Sequence, residues 1–165
     1  WRLPRPGGAA VVDASPTHLR LADDVDVDLA ELAATAGRLE APGPDGDPHP
    51  APALLASDLL PDWYEDWVLL ERERVRQLRL HALEALCQRL TGAGRYGQAV
   101  QAGLAAVAGE PLRESAHRTL IQAHLAEGNP GEALRQYRLY TRLLADELAI
   151  EPSAAIRAMV APLLR

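Results

Sequence analysis

Apolar residues recur at intervals of three and four over most of the chain, which is the spacing of one face of an α-helix. The first such stretch begins at Asp28, which together with Glu31 has the pattern of a capping box, and it ends near Glu40. Its apolar face comprises Leu29, Leu32, Ala33 and Leu39. This pattern predicts a short amphipathic helix.

A longer helix is predicted after Asp62, where Glu65 lies three residues further on and again indicates a capping box. The helix should run to about Leu90, because the glycines of segment 91–94 end it. The stripe predicted to face the core comprises Trp63, Trp67, Leu70, Val75, Leu78, Ala82, Leu86 and Leu90.

The chain also matches itself at an offset of 34 residues. The matched residues are Ala82, Leu86, Gly94, Gly97 and Ala99, which recur as Ala116, Leu120, Gly128, Gly131 and Ala133. This is the tetratricopeptide period, in which each unit is a helix, a turn containing glycine and a second helix. We therefore predict left-handed turns at Gly94 and Gly128, and close helix crossings at Ala99 and Ala133.

The second helix of the second unit is predicted to begin with Asn129 as N-cap and Pro130 as its first residue. Its stripe comprises Ala133, Leu134, Tyr137, Tyr140, Leu144 and Leu148. A final helix is predicted with Ser153 as its capping residue. Because a repeat unit cannot bury its apolar face alone, the units must stack. We predict an all-α, tetratricopeptide-like antiparallel helical-repeat array of about seven helices.

Two segments interrupt the helical pattern. Short runs typical of β-strands at residues 11–12 and 19–21 flank a turn at residues 15–18, which predicts a small N-terminal β-hairpin. Residues 41–53 are rich in proline and glycine, which is typical of a linker or a long surface loop.

The composition argues against several functions. A net charge of −6 makes the chain a poor DNA binder by itself, and no apolar run is long enough to span a membrane. The single cysteine, Cys87, excludes a disulfide within the chain and fits a cytoplasmic protein. The sequence has no nucleophile elbow, phosphate-binding loop or zinc pattern. We therefore expect no enzyme activity, no cofactor and no metal site, and we expect His117 and His124 to be packing or surface residues.

Four ordered runs resemble a known domain. They are residues 59–68 (LLPDWYEDWV), 71–80 (ERERVRQLRL), 110–118 (EPLRESAHR) and 143–153 (LLADELAIEPS). These runs resemble the bacterial transcriptional activator domain of the Streptomyces antibiotic regulatory protein family, over about Val25 to Leu164. The resemblance implies a tetratricopeptide-like array that follows an OmpR-like winged-helix DNA-binding domain. It also implies regulators that bind promoter direct repeats, often as dimers, and recruit RNA polymerase, commonly at secondary-metabolite genes.

On this resemblance, residues 1–24 correspond to the end of the recognition helix and the wing hairpin of an N-terminally truncated winged helix, and residues 25–165 to the activator domain. The candidate DNA contacts are Arg2, Arg5, His18 and Arg20. The candidate partner contacts along the predicted groove are Trp63, Trp67, Arg95, Tyr96, Arg135, Tyr137 and Arg138. The expected partners are promoter DNA through the full-length winged helix, RNA polymerase and a second copy in a homodimer. The alternative is a generic tetratricopeptide-like scaffold that binds a protein or peptide and has no role in transcription.

Overall fold

The computed structural model describes residues 11–40 and 59–164. The helices are α1 (Asp28–Glu40), α2 (Asp66–Gly92), α3 (Tyr96–Gly109), α4 (Glu114–Glu127), α5 (Pro130–Leu148) and α6 (Ala154–Val160). A helical fold with a small N-terminal sheet is therefore confirmed. The predicted count of about seven helices is not confirmed, because the described residues form six α-helices and one 3₁₀ turn at Ala161–Leu163. The predicted loop at 41–53 lies outside the described residues.

The predicted hairpin is present as two antiparallel strands, β1 (Val12–Ala14) and β2 (Leu19–Leu21). Its turn is closed by the amide of Ser15, which donates to the carbonyl of His18 at 2.8 Å. Both leucines of β2, Leu19 and Leu21, are exposed. The hairpin therefore presents apolar side chains to its surroundings.

The helices pack mainly on their neighbours in the chain. α2 contacts α1, α3 and α4, α3 contacts α4, and α5 contacts α4 and α6. Small residues allow this close packing, because a Cβ atom added at Gly103 of α3 would lie 3.1 Å from Leu120 Cδ1 and 3.3 Å from Cys87 Sγ. Helices α2, α3 and α4 thus meet at one point of the core.

The two predicted glycine turns are confirmed. Gly94 and Gly128 have φ angles of 72° and 86°, in the left-handed region that favours glycine at the end of a helix. Ala99 and Ala133, which follow these turns by five residues in the sequence, have no exposed surface. Equivalent residues of the two 34-residue units thus have the same backbone conformation and the same burial.

The predicted start of the long helix is wrong. α2 begins at Asp66 with Glu65 as its N-cap residue, and the carboxylate of Glu65 makes no capping hydrogen bond. Trp63, Trp67 and Leu70 are 48%, 54% and 74% exposed, so the first third of the predicted stripe does not face the core.

The physical reason is the position of the buried face on α2. In its first turns the fully buried residue is Val68, and Val75 follows it seven residues later, two turns along the same face. Trp67 and Leu70 lie at other angles around the helix, and Trp63 precedes it. The predicted stripe is confirmed from Val75 onward, where Val75, Ala82, Leu86 and Leu90 are buried and Leu78 is partly buried.

Three predicted side-chain caps are also wrong. The Asp28 carboxylate accepts a hydrogen bond from the amide of Leu29 at 2.8 Å, while the amide of Glu31 donates to the carbonyl of Val27. Neither Asn129 nor Ser153 caps its helix with its side chain, although each occupies the N-cap position.

Candidate partner-binding surface

The start of α2 is held in place by one arginine. The Arg72 guanidinium donates to the carbonyl oxygens of Leu59 at 3.0 Å, Leu60 at 2.6 Å and Trp63 at 3.1 Å. Leu60 has a φ of 45°, which is unusual for a residue other than glycine. Charge-assisted hydrogen bonds to three carbonyls stabilise this bend. The bend turns the chain just before an aromatic cluster.

We call this cluster and its acidic neighbours the α2 corner. It comprises Asp62, Trp63, Tyr64, Glu65, Asp66, Trp67 and Leu70, all of which are exposed. The rings of Trp63 and Trp67 meet edge to face, with centroids 6.2 Å apart. Residues 62–65 line a depression of about 430 Å³. Clustered exposed aromatic residues are typical of a protein-binding site, and the carboxylates beside them give this surface a negative charge.

A second surface of opposite charge lies on the outer face of α5. We call it the α5 stripe, and it comprises Arg135, Arg138, Leu139 and Arg142. At 100° per residue these side chains fall opposite the buried residues Ala133, Tyr140 and Leu144. Arg135 lies 3.7 Å from Glu132. Arg138 and Arg142 form no ion pair or hydrogen bond with any residue of the described ranges 11–40 and 59–164.

The connection between α3 and α4 ties the helices together through buried polar groups. The Arg113 guanidinium donates to the carboxylate of Glu84 at 2.6 Å and to the amide oxygen of Gln77 at 2.9 Å. The hydroxyl of Ser115 donates to the same oxygen of Glu84 at 2.7 Å. Glu84 is buried, and its charge is compensated by an ion pair and a second hydrogen bond, as a buried carboxylate requires.

A second ion pair joins the same connection to α2. Arg76 bonds Glu110, and it also donates to both oxygens of Glu73 at 2.8 and 2.9 Å. These hydrogen bonds lower the pKa of Glu73 to about 2. The Arg76 guanidinium that pairs with Glu110 is therefore oriented by Glu73, a residue of the same helix as Arg76.

His117 of α4 is fully buried and is held on both ring nitrogens. Its Nε2 atom lies 2.8 Å from the carbonyl oxygen of Pro111, and its Nδ1 atom lies 2.8 Å from Nε2 of Gln136. Because a carbonyl only accepts, Nε2 carries the proton and Nδ1 accepts from Gln136. The ring also stacks on Tyr140 at 4.3 Å. Burial lowers the pKa of His117, against the opposing effect of the Pro111 carbonyl.

α6 is attached to this connection through Glu114. The carboxylate of Glu114 accepts from the amide of Ser153 at 2.9 Å and also from its hydroxyl. The phenol of Tyr140 reaches the carbonyl of Leu112 at 3.5 Å, and burial raises its pKa to about 12. The segment 110–117 therefore contacts α2, α5 and the start of α6 with its polar atoms.

A separate groove of about 650 Å³ lies between α1 and α2 and is lined by Leu29, Ala33, Glu71, Arg74, Val75, Leu78 and His81. None of the seven candidate partner residues lines this groove. Four of its lining residues are apolar, and the other three are His81 and the pair Glu71 and Arg74, which lie 3.8 Å apart.

The structure brings some of the predicted partner residues together and leaves others apart. Trp63 and Trp67 touch within the α2 corner, and Arg135 and Arg138 share the α5 stripe. Tyr137 is partly buried and packs into the core cluster formed by α4, α5 and α6. The N-cap residue Arg95 and the first residue Tyr96 are partly buried at the start of α3.

The candidate DNA contacts are only partly described. Arg2 and Arg5 lie outside the described residues. Arg20 forms ion pairs with Asp13 at 3.0 Å and Asp23 at 3.2 Å, so its charge is locally neutralised. His18 is exposed, and its Nδ1 atom lies 2.7 Å from the hydroxyl of Thr17.

Within residues 11–40 and 59–164, no group of three or more His, Cys, Asp and Glu side chains is arranged to hold a metal ion. None of the helices described combines the length and the apolar character needed to cross a bilayer.

Comparison with known proteins accounts for most of the chain. Residues 25–164 match the bacterial transcriptional activator domain. The chain belongs to this family. A segment of 87 residues is 34% identical to Regulatory protein AfsR of Streptomyces coelicolor and covers 53% of this chain and 9% of AfsR. A segment of 79 residues is 38% identical to Transcriptional regulator RedD of the same organism and covers 48% of this chain and 23% of RedD. The chain thus spans less than a quarter of either relative.

One of the runs that resemble this family, residues 110–118, connects helices in the structure. Five of its side chains contact residues of other helices or helix ends: Glu110, Arg113, Glu114, Ser115 and His117. Tyr64, Leu139 and Arg142 were not predicted as surface residues. Arg142 follows Arg138 by four residues, which is the spacing of one helix face, while Tyr64 and Leu139 directly follow the predicted partner residues Trp63 and Arg138.

Proposed function

We propose that this chain is the oligomerisation and activation part of a cytoplasmic transcription activator. In this proposal the helical domain pairs with a second copy and contacts RNA polymerase, while a winged helix that includes residues 1–24 binds promoter DNA. The match to the bacterial transcriptional activator domain over residues 25–164 carries the proposal.

The distribution of polar groups supports a binding role over a catalytic one. The buried carboxylate Glu84 and the buried imidazole His117 are both satisfied by internal partners. The α2 corner and the α5 stripe instead carry exposed charges, among them Asp62, Arg138 and Arg142, that have no ion pair within residues 11–40 and 59–164. Exposed charged and aromatic surfaces on a rigid support fit recognition of another macromolecule.

We also propose that the stack is tetratricopeptide-like. Two helix–turn–helix units, α2–α3 and α4–α5, support this assignment, since both have a left-handed glycine at the turn and a fully buried alanine five residues later. α1 and α6 then act as partial caps that cover the ends of the array.

For the hairpin we propose a place in the wing of the winged helix. The exposure of Leu19 and Leu21 supports this, because a two-stranded hairpin with uncovered leucines is marginal in water and gains stability by packing on a larger unit. The neutralised Arg20 implies that the hairpin adds little phosphate affinity by itself.

The proposed activation is tested by fusing all 165 residues to a heterologous DNA-binding domain upstream of a reporter gene. We expect reporter expression to rise above that of the DNA-binding domain alone, and RNA polymerase to be retained in a pull-down. A fusion that is folded and bound to its operator, yet neither raises expression nor retains polymerase, would contradict the proposal.

The groove between α1 and α2 favours a second candidate function. A cavity of about 650 Å³ with four apolar lining residues suits a peptide, as a scaffold without transcriptional activity would require. Replacing Leu78 by Arg would fill the groove. If the folded variant retains full reporter activity, the groove is not needed for activation. If the folded variant loses activity, the groove contributes to activation.

A further inference from the structure

We propose that the α2 corner of one copy binds the α5 stripe of a second copy. This inference rests on the proposed function and specifies the contact through which the domain would pair. The corner carries three carboxylates, at Asp62, Glu65 and Asp66, and the stripe carries three guanidinium groups.

The corner has the chemistry to receive an arginine-rich helix face. Trp63 and Trp67 are about half exposed, and Tyr64 is 78% exposed. Guanidinium groups stack on indole faces and pair with carboxylates in two-point geometry. The carboxylates of Asp62, Glu65 and Asp66 form no ion pair or hydrogen bond with the residues of 11–40 and 59–164, so they are free to accept one.

The stripe has the complementary chemistry. Leu139 is 41% exposed and lies between the arginines, where it can cover an aromatic ring. Other arginines of the chain are engaged internally, including Arg72 with carbonyl groups, Arg76 with two carboxylates and Arg113 with Glu84. Arg138 and Arg142 therefore differ from these in having guanidinium groups directed to solvent without a partner in the described part of the chain.

A second copy is the occupant that these observations favour. A chain with a net charge of −6 repels its own copies on average, and local surfaces of opposite sign favour self-association by offsetting this repulsion. The chain supplies both surfaces, and apart from the pair of Arg135 with Glu132 their charged groups form no ion pair within residues 11–40 and 59–164. Contact between two different surfaces can form a two-fold dimer with two such contacts. It can also form a head-to-tail assembly, in which each copy uses its two surfaces on different neighbours.

The proposal is tested with the whole chain by sedimentation velocity at low and high salt. The corner is reversed by Asp62→Arg with Glu65→Arg, and the stripe by Arg138→Glu with Arg142→Glu. Each reversal should weaken self-association by at least about tenfold, because like charges then face each other. The wild-type association should weaken as salt increases.

Mixing the two reversed variants provides the decisive measurement. In the mixture, the wild-type stripe of the corner variant can bind the wild-type corner of the stripe variant. The two reversed surfaces also have opposite charge and can bind each other, so a one-to-one hetero-association should return. Tryptophan emission should shift to shorter wavelength as Trp63 and Trp67 become covered. A matched control, Asp24→Arg with Asp26→Arg, makes the same charge change at exposed positions before α1 and should leave the affinity within about threefold of wild type.

Three results would overturn the proposal: a wild-type chain that stays monomeric at about 0.1 mM, a reversal that leaves association unchanged, or a mixture that does not associate. Circular dichroism identifies any variant that fails to fold, and for it the single substitutions Glu65→Arg and Arg138→Glu replace the double ones. A monomeric wild type that still activates the reporter would refute this contact while leaving the proposed activation intact.

Discussion

The guanidinium of Arg113 lies 2.6 Å from the carboxylate of Glu84, and both side chains are largely shielded from water. This ion pair joins the start of α4 to the middle of α2 across 29 residues of sequence. The start of α4, with the connection before it, is thereby fixed relative to α2.

Replacing Arg113 by Ala should lower the free energy of unfolding by about 3 kcal/mol, because the Glu84 carboxylate would remain buried without a counter-charge. The matched control is Arg157→Ala, which removes an exposed 3.0 Å pair with Glu151 and should cost less than about 1 kcal/mol. Urea denaturation measures both. An equal decrease in the free energy of unfolding for the two variants would mean that the buried pair stabilises the fold no more than the exposed pair does.

The stability of the fold should depend on pH through His117. Burial holds its pKa below the ordinary 6.5. As the pH falls, His117 therefore takes up a proton at a higher pH in the unfolded chain than in the folded chain. The free energy of unfolding should therefore be highest above pH 6.5 and should fall as the pH drops toward the lowered folded pKa, by at most about 1.4 kcal/mol per pH unit. His117→Gln should remove this part of the slope in urea melts between pH 5 and 8. Superimposable profiles for the wild-type chain and the variant would contradict the assignment.

Ala133 has no exposed surface, and enlarging it should force apart the helices that cover it. Ala133→Leu should cost on the order of 1–3 kcal/mol through overpacking. Ala145→Leu, at an exposed position of the same helix, provides the control and should change stability by less than about 0.5 kcal/mol. A neutral Ala133→Leu in denaturant melts would show that the alanine does not mark a close helix crossing.

Substitutions at Gly128 and Gly131 distinguish the effect of backbone strain from the effect of the space available to a side chain. A Cβ atom at either position would meet nothing within 4 Å, but only Gly128 has a positive φ. Gly128→Ala should destabilise by about 1 kcal/mol, whereas Gly131→Ala, inside α5, should stabilise by about 0.5–1 kcal/mol. Thermal melts of the two variants should thus move in opposite directions, and a shift of both in the same direction would contradict this account.

Local sequence rules were sufficient for most of the fold. The 34-residue self-match located the turns at Gly94 and Gly128, because a left-handed helix end favours glycine. The same rules failed at the start of α2, where periodicity marked Trp63 and Trp67 as core residues. The buried residue there is Val68 and not Trp67 or Leu70, because the face of a helix that is covered depends on the helices packed against it, which is a tertiary property.

The candidate surface was predictable only in part. Trp63, Trp67, Arg135 and Arg138 were singled out from the sequence, yet they were assigned to one groove. The structure places them instead on two outer faces of opposite charge. The side-chain contacts of Glu84, His117 and Glu114 join residues 19 to 39 positions apart, and no local pattern indicates which polar groups will meet at such separations.

Cys87, the single cysteine of the sequence, lies where α2, α3 and α4 meet and has no exposed surface. Burial raises the pKa of its thiol to about 11, so an alkylating reagent can react with it only after these helices separate. The native chain therefore contains an intrinsic reporter of transient opening, whose modification rate gives the free energy of that opening. A partner that clamps the three helices should slow this modification, and binding can be followed without attaching any label.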